Sequence, residues 1–129
     1  MKNAKKEAVS TKAAPAAIGP YSQAIRSGEL LFCSGQIGLD PASGNLAPGG
    51  VVAECRQAMK NLGEVLAAAG LGWGDLVRTT IYLTDLGDFT AVNEAYGSFL
   101  EPPYPARATV GVAALPKGAR VEIDAVARV

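Results

Sequence analysis

Two stretches of the chain repeat their apolar residues at helical spacing. In residues 51–69 the apolar positions recur every three or four residues and polar side chains fill the rest, which predicts an amphipathic helix. Gly70 is a typical stop signal for this helix. A second helix is expected over residues 88–100, with Asp88 as its N-terminal cap and Pro102 just beyond its end.

Alternating apolar and polar residues predict the strands. Residues 7–11, two runs within 18–38 on either side of a turn at 27–28, and residues 76–84 all have strand character. The run 30–34 is apolar almost throughout, so we expect both of its faces to be buried.

The last quarter of the chain predicts a β-hairpin. Two alternating runs, 104–114 and 121–127, flank the turn signal at 115–118. If the apolar residues of both runs face one core, five other positions share the opposite face. These positions are Arg107, Thr109, Gly111, Glu122 and Asp124.

That face would form a small hollow between a guanidinium and a carboxylate. Arg107 offers a fork of donors that suits a carboxylate or a phosphate, and Glu122 would lie nearby. The plainer interpretation is an ordinary solvated sheet face. Gly111 favours the hollow, because a solvated strand gains nothing from a residue without a side chain.

The order of elements is strands, helix, strand, helix, strands. It predicts an α+β fold, with one domain over residues 1–129. We expect a two-layer sandwich in which a mixed sheet of about six strands carries both helices on one face. The other face would be uncovered in a single copy, so we expect self-association with small-ligand pockets between subunits.

Composition narrows the range of functions. Twelve basic and twelve acidic residues cancel, so a nucleic-acid partner is not expected. No run reaches the length of a membrane span and no apolar signal segment follows the basic start, so we expect a cytoplasmic protein. Histidine is absent, which removes the commonest general base and the usual zinc ligands; we expect no metal and no cofactor. Cys33 and Cys55 are expected to be buried free thiols.

Several short segments are distinctive when they are taken together and in order. They are AAIGPYSQA at 16–24, FCSGQI at 32–37, QAMKNL at 57–62, AAAGL at 67–71, DLGDF at 85–89, YPAR at 104–107, LPKG at 115–118 and VEI at 121–123. Over nearly its whole length the chain thus resembles the RidA family, also called the YjgF or L-PSP family.

The resemblance implies a homotrimer with a chorismate-mutase-like fold and clefts between subunits. It also implies hydrolysis of reactive 2-imino acids, such as 2-iminobutanoate and 2-iminopropanoate, to 2-oxo acids and ammonia. The carboxylate-binding arginine of the family corresponds to Arg107, and its acidic residue on the last strand corresponds to Glu122. Tyr21, Ser34 and Asn93 match positions that line the cleft in relatives.

Two small residues, Gly35 and Thr109, complete the expected site. Gly35 would let the main chain approach a ligand closely. Thr109 and Gly111 stand where many members of the family have cysteine and glutamate. The departure at these positions leaves two alternatives: the thiol is dispensable for the reaction, or the chain belongs to a branch with an altered substrate range. Because imine hydrolysis needs water and not a thiol, we favour the first and expect Thr109 to line the substrate site.

In this interpretation Arg107 holds the substrate carboxylate and Glu122 orients the attacking water or accepts its proton. Each residue also has a plainer role. Arg107 could be an ion-pair partner of Glu122, Tyr21 an interface aromatic, Ser34 a strand-end residue and Asn93 a solvated helix residue.

Two other functions remain open at this point. One is an endoribonuclease or translation inhibitor, an activity attributed to some relatives. Neutral net charge and the lack of histidine speak against it. The other is a non-catalytic ligand-binding or holdase-like trimer, which would also need Arg107 to bind the carboxylate of its ligand.

Overall fold

The computed structural model, which describes residues 5–129, is built on a mixed sheet of six strands in the order β1-β2-β3-β6-β4-β5. The strands are β1 (Glu7–Val9), β2 (Ala24–Ser27), β3 (Leu30–Ile37), β4 (Leu76–Leu83), β5 (Ala106–Gly111) and β6 (Val121–Arg128). The helices are α1 (Val51–Ala68) and α2 (Phe89–Gly97). Both helices pack over the same face of the sheet and share one core with it, which confirms the expected α+β fold.

Helix α1 confirms the helix that was predicted over residues 51–69. It ends one residue before the expected position, and Gly70 follows with a φ of 77°, a left-handed conformation that favours glycine. Its apolar stripe packs on β3 and β6, and each large side chain buried there contributes about 1.5–3 kcal/mol. No helix in the described part of the chain is long and apolar enough to cross a membrane.

Helix α2 is shorter than expected, and Asp88 stands at its N-cap position without capping it by a side-chain hydrogen bond. Asp88 has a helical backbone because a short 3₁₀ turn (Leu86–Asp88) leads into the helix, and its side chain makes no capping bond. Its carboxylate instead pairs with Arg120 at 2.9 Å. Asp85 takes the local role of a cap by accepting a hydrogen bond from the main-chain N–H of Gly87 at 2.8 Å.

The expected hairpin at 27–28 is confirmed, since β2 and β3 pair antiparallel around Gly28, whose φ is 61°. The expectation that the run 30–34 is buried on both faces is wrong. Leu31 is fully buried, whereas Phe32 is 46% exposed. The reason is that the helices cover only one face of the sheet, so the apolar run alternates between the core and the open face.

The expected C-terminal hairpin is also wrong. Strand β5 lies at the edge of the sheet and pairs parallel with β4, while β6 lies in the centre, antiparallel to both β3 and β4. The turn signal at 115–118 is real, with a 3₁₀ turn at Pro116–Gly118, but it belongs to a connection that carries the chain past β4. The two alternating runs therefore never pair with each other.

This pairing separates the residues that the sequence placed on one face. Arg107 is the ladder partner of Thr79, which is fully buried beneath the helices. Glu122 is the partner of Tyr82, whose side chain lies on the open face and bonds Asp124. Since laterally paired residues share a face, Arg107 lies on the helix face and Glu122 on the open face. The expected common hollow therefore does not exist within one chain.

The two cysteines are buried and free, as expected. Burial raises the pKa of Cys33 to about 12 and that of Cys55 to about 11. Both side chains therefore stay protonated at physiological pH and are chemically inert.

The main chain of α1 lies close against Gly38, the residue that follows β3. A Cβ on Gly38 would lie 2.5 Å from the main-chain oxygen of Glu54, and backbone cannot move aside as a flexible side chain can. We expect Gly38→Ala to lower the free energy of unfolding by about 1–3 kcal/mol, measured by urea denaturation. Gly72→Ala is the matched control, because its Cβ would meet nothing within 4 Å and its φ is −142°. Equal stabilities of the two variants would contradict this account.

Candidate active site

The residues predicted to form the site, Thr109 excepted, divide between two cavities. The Glu122 cavity, of about 660 Å³, is lined by Tyr21, Ser34, Gly35 and Glu122, together with apolar side chains such as Ile18 and Ile37. The Arg107 cavity, of about 490 Å³, is lined by Asn93, Tyr96, Gly97, Tyr104, Pro105 and Arg107. Thr109 lines neither cavity.

The Glu122 cavity is shaped by an irregularity in β3. The register with β6 shifts between Cys33 and Gln36, so Ser34 and Gly35 leave the regular ladder. A Cβ on Gly35 would overlap the carboxylate of Glu122, so only glycine lets this carboxylate lie across the main chain. Ser34 donates its hydroxyl proton to the carbonyl of Ser22 at 2.5 Å, which leaves its oxygen lone pairs for a ligand.

Glu122 is an acid without a cationic partner. The ion pairs among residues 5–129 are Arg120 with Asp88 and Arg128 with Glu29. Burial and the neighbouring charge of Asp124 raise the pKa of Glu122 above its ordinary value. A carboxylate with a raised pKa is a stronger base than one in water, so Glu122 is suited to accept a proton.

Arg107 is likewise without a charged partner in the described residues. Its guanidinium carbon lies 5.2 Å from the ring centroid of Tyr96 and 5.6 Å from that of Phe89, both on α2. Ring faces attract the cation but accept no conventional hydrogen bonds, so the N–H fork is left for an anionic ligand. The plainer interpretation, an ion pair with Glu122 inside one chain, is wrong.

The other predicted residues occupy different surroundings. Asn93 is exposed on α2 and faces the Arg107 cavity. The hydroxyl oxygen of Thr109 is buried and has no hydrogen-bond partner among the described residues. A Cβ on Gly111 would lie 3.2 Å from Leu86, so this glycine allows the loop after β4 to pack closely. No group of three or more Cys, Asp or Glu within residues 5–129 could hold a metal ion.

Comparison with known proteins gives the family. The family model described as Endoribonuclease L-PSP matches residues 11–129. The chain belongs to this family, the RidA or YjgF family. The resemblance seen in the sequence is thereby confirmed.

Relatives of this RidA-family chain match it over nearly its full length. The mouse protein named 2-iminobutanoate/2-iminopropanoate deaminase is 55% identical over 122 residues, which are 95% of this chain and 90% of that protein. The crystal structure of RidA from the Antarctic bacterium Psychrobacter sp. PAMC 21119 has a TM-score of 0.92 and 43% identity, covering 95% of this chain and 99% of that one. The crystal structure of E. coli TdcF with bound serine has a TM-score of 0.91 and 40% identity, covering 95% of this chain and 98% of that one.

Sequence reasoning missed the residue that holds one wall of the Glu122 cavity in this RidA-family chain. Gln23, only 4% exposed, accepts a hydrogen bond from the N–H of Thr11 at 2.6 Å. Its amide nitrogen donates to the carbonyls of Thr11 at 3.1 Å, Ala14 at 3.3 Å and Pro15 at 2.7 Å. One side chain therefore fastens the segment that leads into the wall at 15–21. The signal available in the sequence was a glutamine just before a strand. Its hydrogen-bond partners lie in an irregular loop, which the sequence pattern does not predict.

Replacing this amide tests how the wall is held. Gln23→Leu keeps the bulk but leaves buried main-chain groups unpaired, at a cost of about 1–3 kcal/mol. We expect faster amide hydrogen exchange in residues 11–22 than in the unmodified protein. Gln57→Leu is the control, because that amide donates one bond to Asn61 on α1. Unchanged exchange in 11–22 for Gln23→Leu would show that other contacts hold the wall.

Proposed function

We propose that this protein hydrolyses 2-imino acids, including 2-iminobutanoate and 2-iminopropanoate, to 2-oxo acids and ammonia, at sites formed between copies of the chain. The observation that carries the proposal is a pair of opposite charges, Arg107 and Glu122, that have no ion-pair partner among residues 5–129 and lie in two cavities on different faces of one sheet. The names of curated relatives more than 50% identical to this chain support the choice of reaction.

A second copy would complete each half of the site. The open sheet face exposes Phe32 by 46% and Val110 by 39%, and such apolar surface is usually covered by a partner. Tyr21 and Tyr104, which line the Glu122 and Arg107 cavities respectively, are also exposed. We propose that the Arg107 cavity of one copy meets the Glu122 cavity of the next, and that three copies close into a ring. The cytoplasmic location and the single domain stay predictions.

Arg107 would bind the substrate by its carboxylate. Two parallel N–H bonds to the carboxylate oxygens fix the plane of a 2-imino acid, since the carboxylate is attached directly to the imine carbon. This orientation presents one face of the C=N bond to the Glu122 cavity. The free lone pairs of Ser34 can accept an N–H bond from the iminium group, with Tyr21, Gly35 and Asn93 as the surrounding wall.

The chemistry needs one water and one base. The protonated imine carbon is electrophilic, so water adds to it while the carboxylate of Glu122 takes the proton of the attacking water. The product is a tetrahedral carbinolamine, with a new C–O bond and a C–N single bond. Glu122 returns the proton to nitrogen, and the C–N bond breaks with loss of ammonia. The carboxylate of Glu122 takes the hydroxyl proton as the C=O bond forms and passes it to the released ammonia, which departs as ammonium.

Two variants test the clamp and the base. Arg107→Ala should lower accelerated ammonia and 2-oxo acid release by about 100-fold or more, because the substrate loses its orientation. Glu122→Gln should slow turnover by about 100-fold while pyruvate binding changes little, because the base is lost. The measurement couples a threonine dehydratase to the protein and follows decay of the imine. Arg128→Ala, which removes the same charge from an exposed ion pair, is the control.

Mixing the two inactive variants tests whether the site spans two copies. In randomly assembled rings, half of the copies carry an intact Arg107 and half an intact Glu122. About a quarter of the wild-type activity should therefore return after co-refolding. No recovery would place both residues in one copy and contradict the shared site.

Two other outcomes would favour the alternative functions. RNA cleavage that survives Arg107→Ala would favour the endoribonuclease function that the family description names, and pyruvate binding without imine turnover would favour a binding protein.

The raised pKa of Glu122 gives a pH test. The base acts as its carboxylate, so kcat/KM should fall as the pH drops through this pKa. Asp124 is the second cause of the shift, so Asp124→Asn should move the acidic inflection to lower pH. An inflection that stays in place, or moves up, would show that another group controls the acidic limb.

A further inference from the structure

Within the described part of the chain, the guanidinium of Arg107 contacts aromatic rings and forms no ion pair. Phe89 and Tyr96 lie seven residues apart, two turns along α2, and so present their rings on the same side of the helix. Phe89 is 42% exposed, whereas Tyr96 is only 5% exposed. Tyr96 is therefore the fixed ring against which the guanidinium is held.

Tyr96 is itself fixed from below. Its hydroxyl lies 2.7 Å from the hydroxyl of Thr79, which is fully buried in the middle of the sheet. Thr79 is also the ladder partner of Arg107 across β4 and β5. The three residues thus form a closed triangle: a strand pairing, a buried hydrogen bond and a ring–cation contact.

An apolar pair could fill the place of this hydrogen bond. The neighbours of Thr79 on the same face of β4 are Ile81 and Leu83, both buried apolar side chains. A valine and a phenylalanine would have nearly the same shapes as Thr79 and Tyr96, and replacing both partners of a buried bond by apolar groups can be nearly neutral. What the hydroxyl pair adds is a fixed tilt for the Tyr96 ring.

We propose that Thr79 and Tyr96 are a positioning pair that holds the guanidinium of Arg107 ready for a planar carboxylate. The inference rests on the proposed function and deepens it. An arginine side chain loses rotamer entropy when it binds a ligand, and a guanidinium already held by a fixed ring loses less of it. Neither Thr79 nor Tyr96 needs to touch the substrate for this effect.

The test compares Thr79→Val, Tyr96→Phe and the double variant with the unmodified protein. Pyruvate serves as the probe, its Kd is measured by calorimetry, and kcat, KM and the thermal midpoint are measured alongside. We expect each single variant to raise the pyruvate Kd and the KM by roughly five- to tenfold with little change in kcat, because ground-state and transition-state binding weaken together. The double variant should be no worse than either single one, because all three lose the same bond.

Thr80→Val is the matched control. It makes the same substitution one residue along β4, on the opposite face, where the ladder partner of Thr80 is Asp124. Its pyruvate Kd should stay within twofold of the unmodified protein. Should Thr79→Val fold poorly, Tyr96→Phe keeps the ring and the core volume and gives the same comparison.

The outcomes separate the two proposals. A lower thermal midpoint with an unchanged pyruvate Kd would make the bond purely structural and overturn the positioning role. If Arg107→Ala loses pyruvate while Thr79→Val and Tyr96→Phe bind it normally, the proposed clamp stands and the positioning inference fails. If Arg107→Ala still binds pyruvate like the unmodified protein, the clamp itself is wrong and both proposals fail.

Discussion

Parallel pairing of β5 with β4 determines where the charged groups of this protein lie. It places Arg107 beside Thr79, on the face that the helices cover, and leaves β6 to carry Glu122 on the other face. An antiparallel hairpin of the same two segments would have put both charges in one chain's hollow. With the parallel edge strand, each charge has a cavity and no counter-charge among residues 5–129, and this favours a site that two copies build together.

The sequence predicted those parts of the fold that depend on local pattern. The 3.6-residue period of α1 and the turn at Gly28 are local signals, and the structure confirms both. The prediction of a C-terminal hairpin was wrong because alternating apolar and polar residues show that a segment is a strand but do not show which strand it pairs with. The prediction that Asp88 caps α2 was wrong for a related reason. Its side chain pairs with Arg120, which is remote in sequence.

The same limit applies to the site. Tyr21, Ser34, Gly35 and Glu122 share one cavity, and Asn93 and Arg107 share another, whereas Thr109 lines neither. Their division between two faces follows from strand order, which no short motif encodes. Gln23 and Tyr96 went unrecognised because their importance comes from what they hold in place. A buried amide and an aromatic residue on a helix stripe look like ordinary packing residues in a sequence.

The single amide of Gln23 fastens residues 11–15. Holding this segment in place and presenting exposed side chains to the cavity are therefore tasks of different residues. The folded position of the segment depends on Gln23. The stretch from Ala16 to Pro20 that follows is mostly exposed and belongs to no strand. New side chains, and even changes of length, can therefore be introduced there at little cost to folding. This lining is a natural place for selection, in evolution or in the laboratory, to retune which substrates fit.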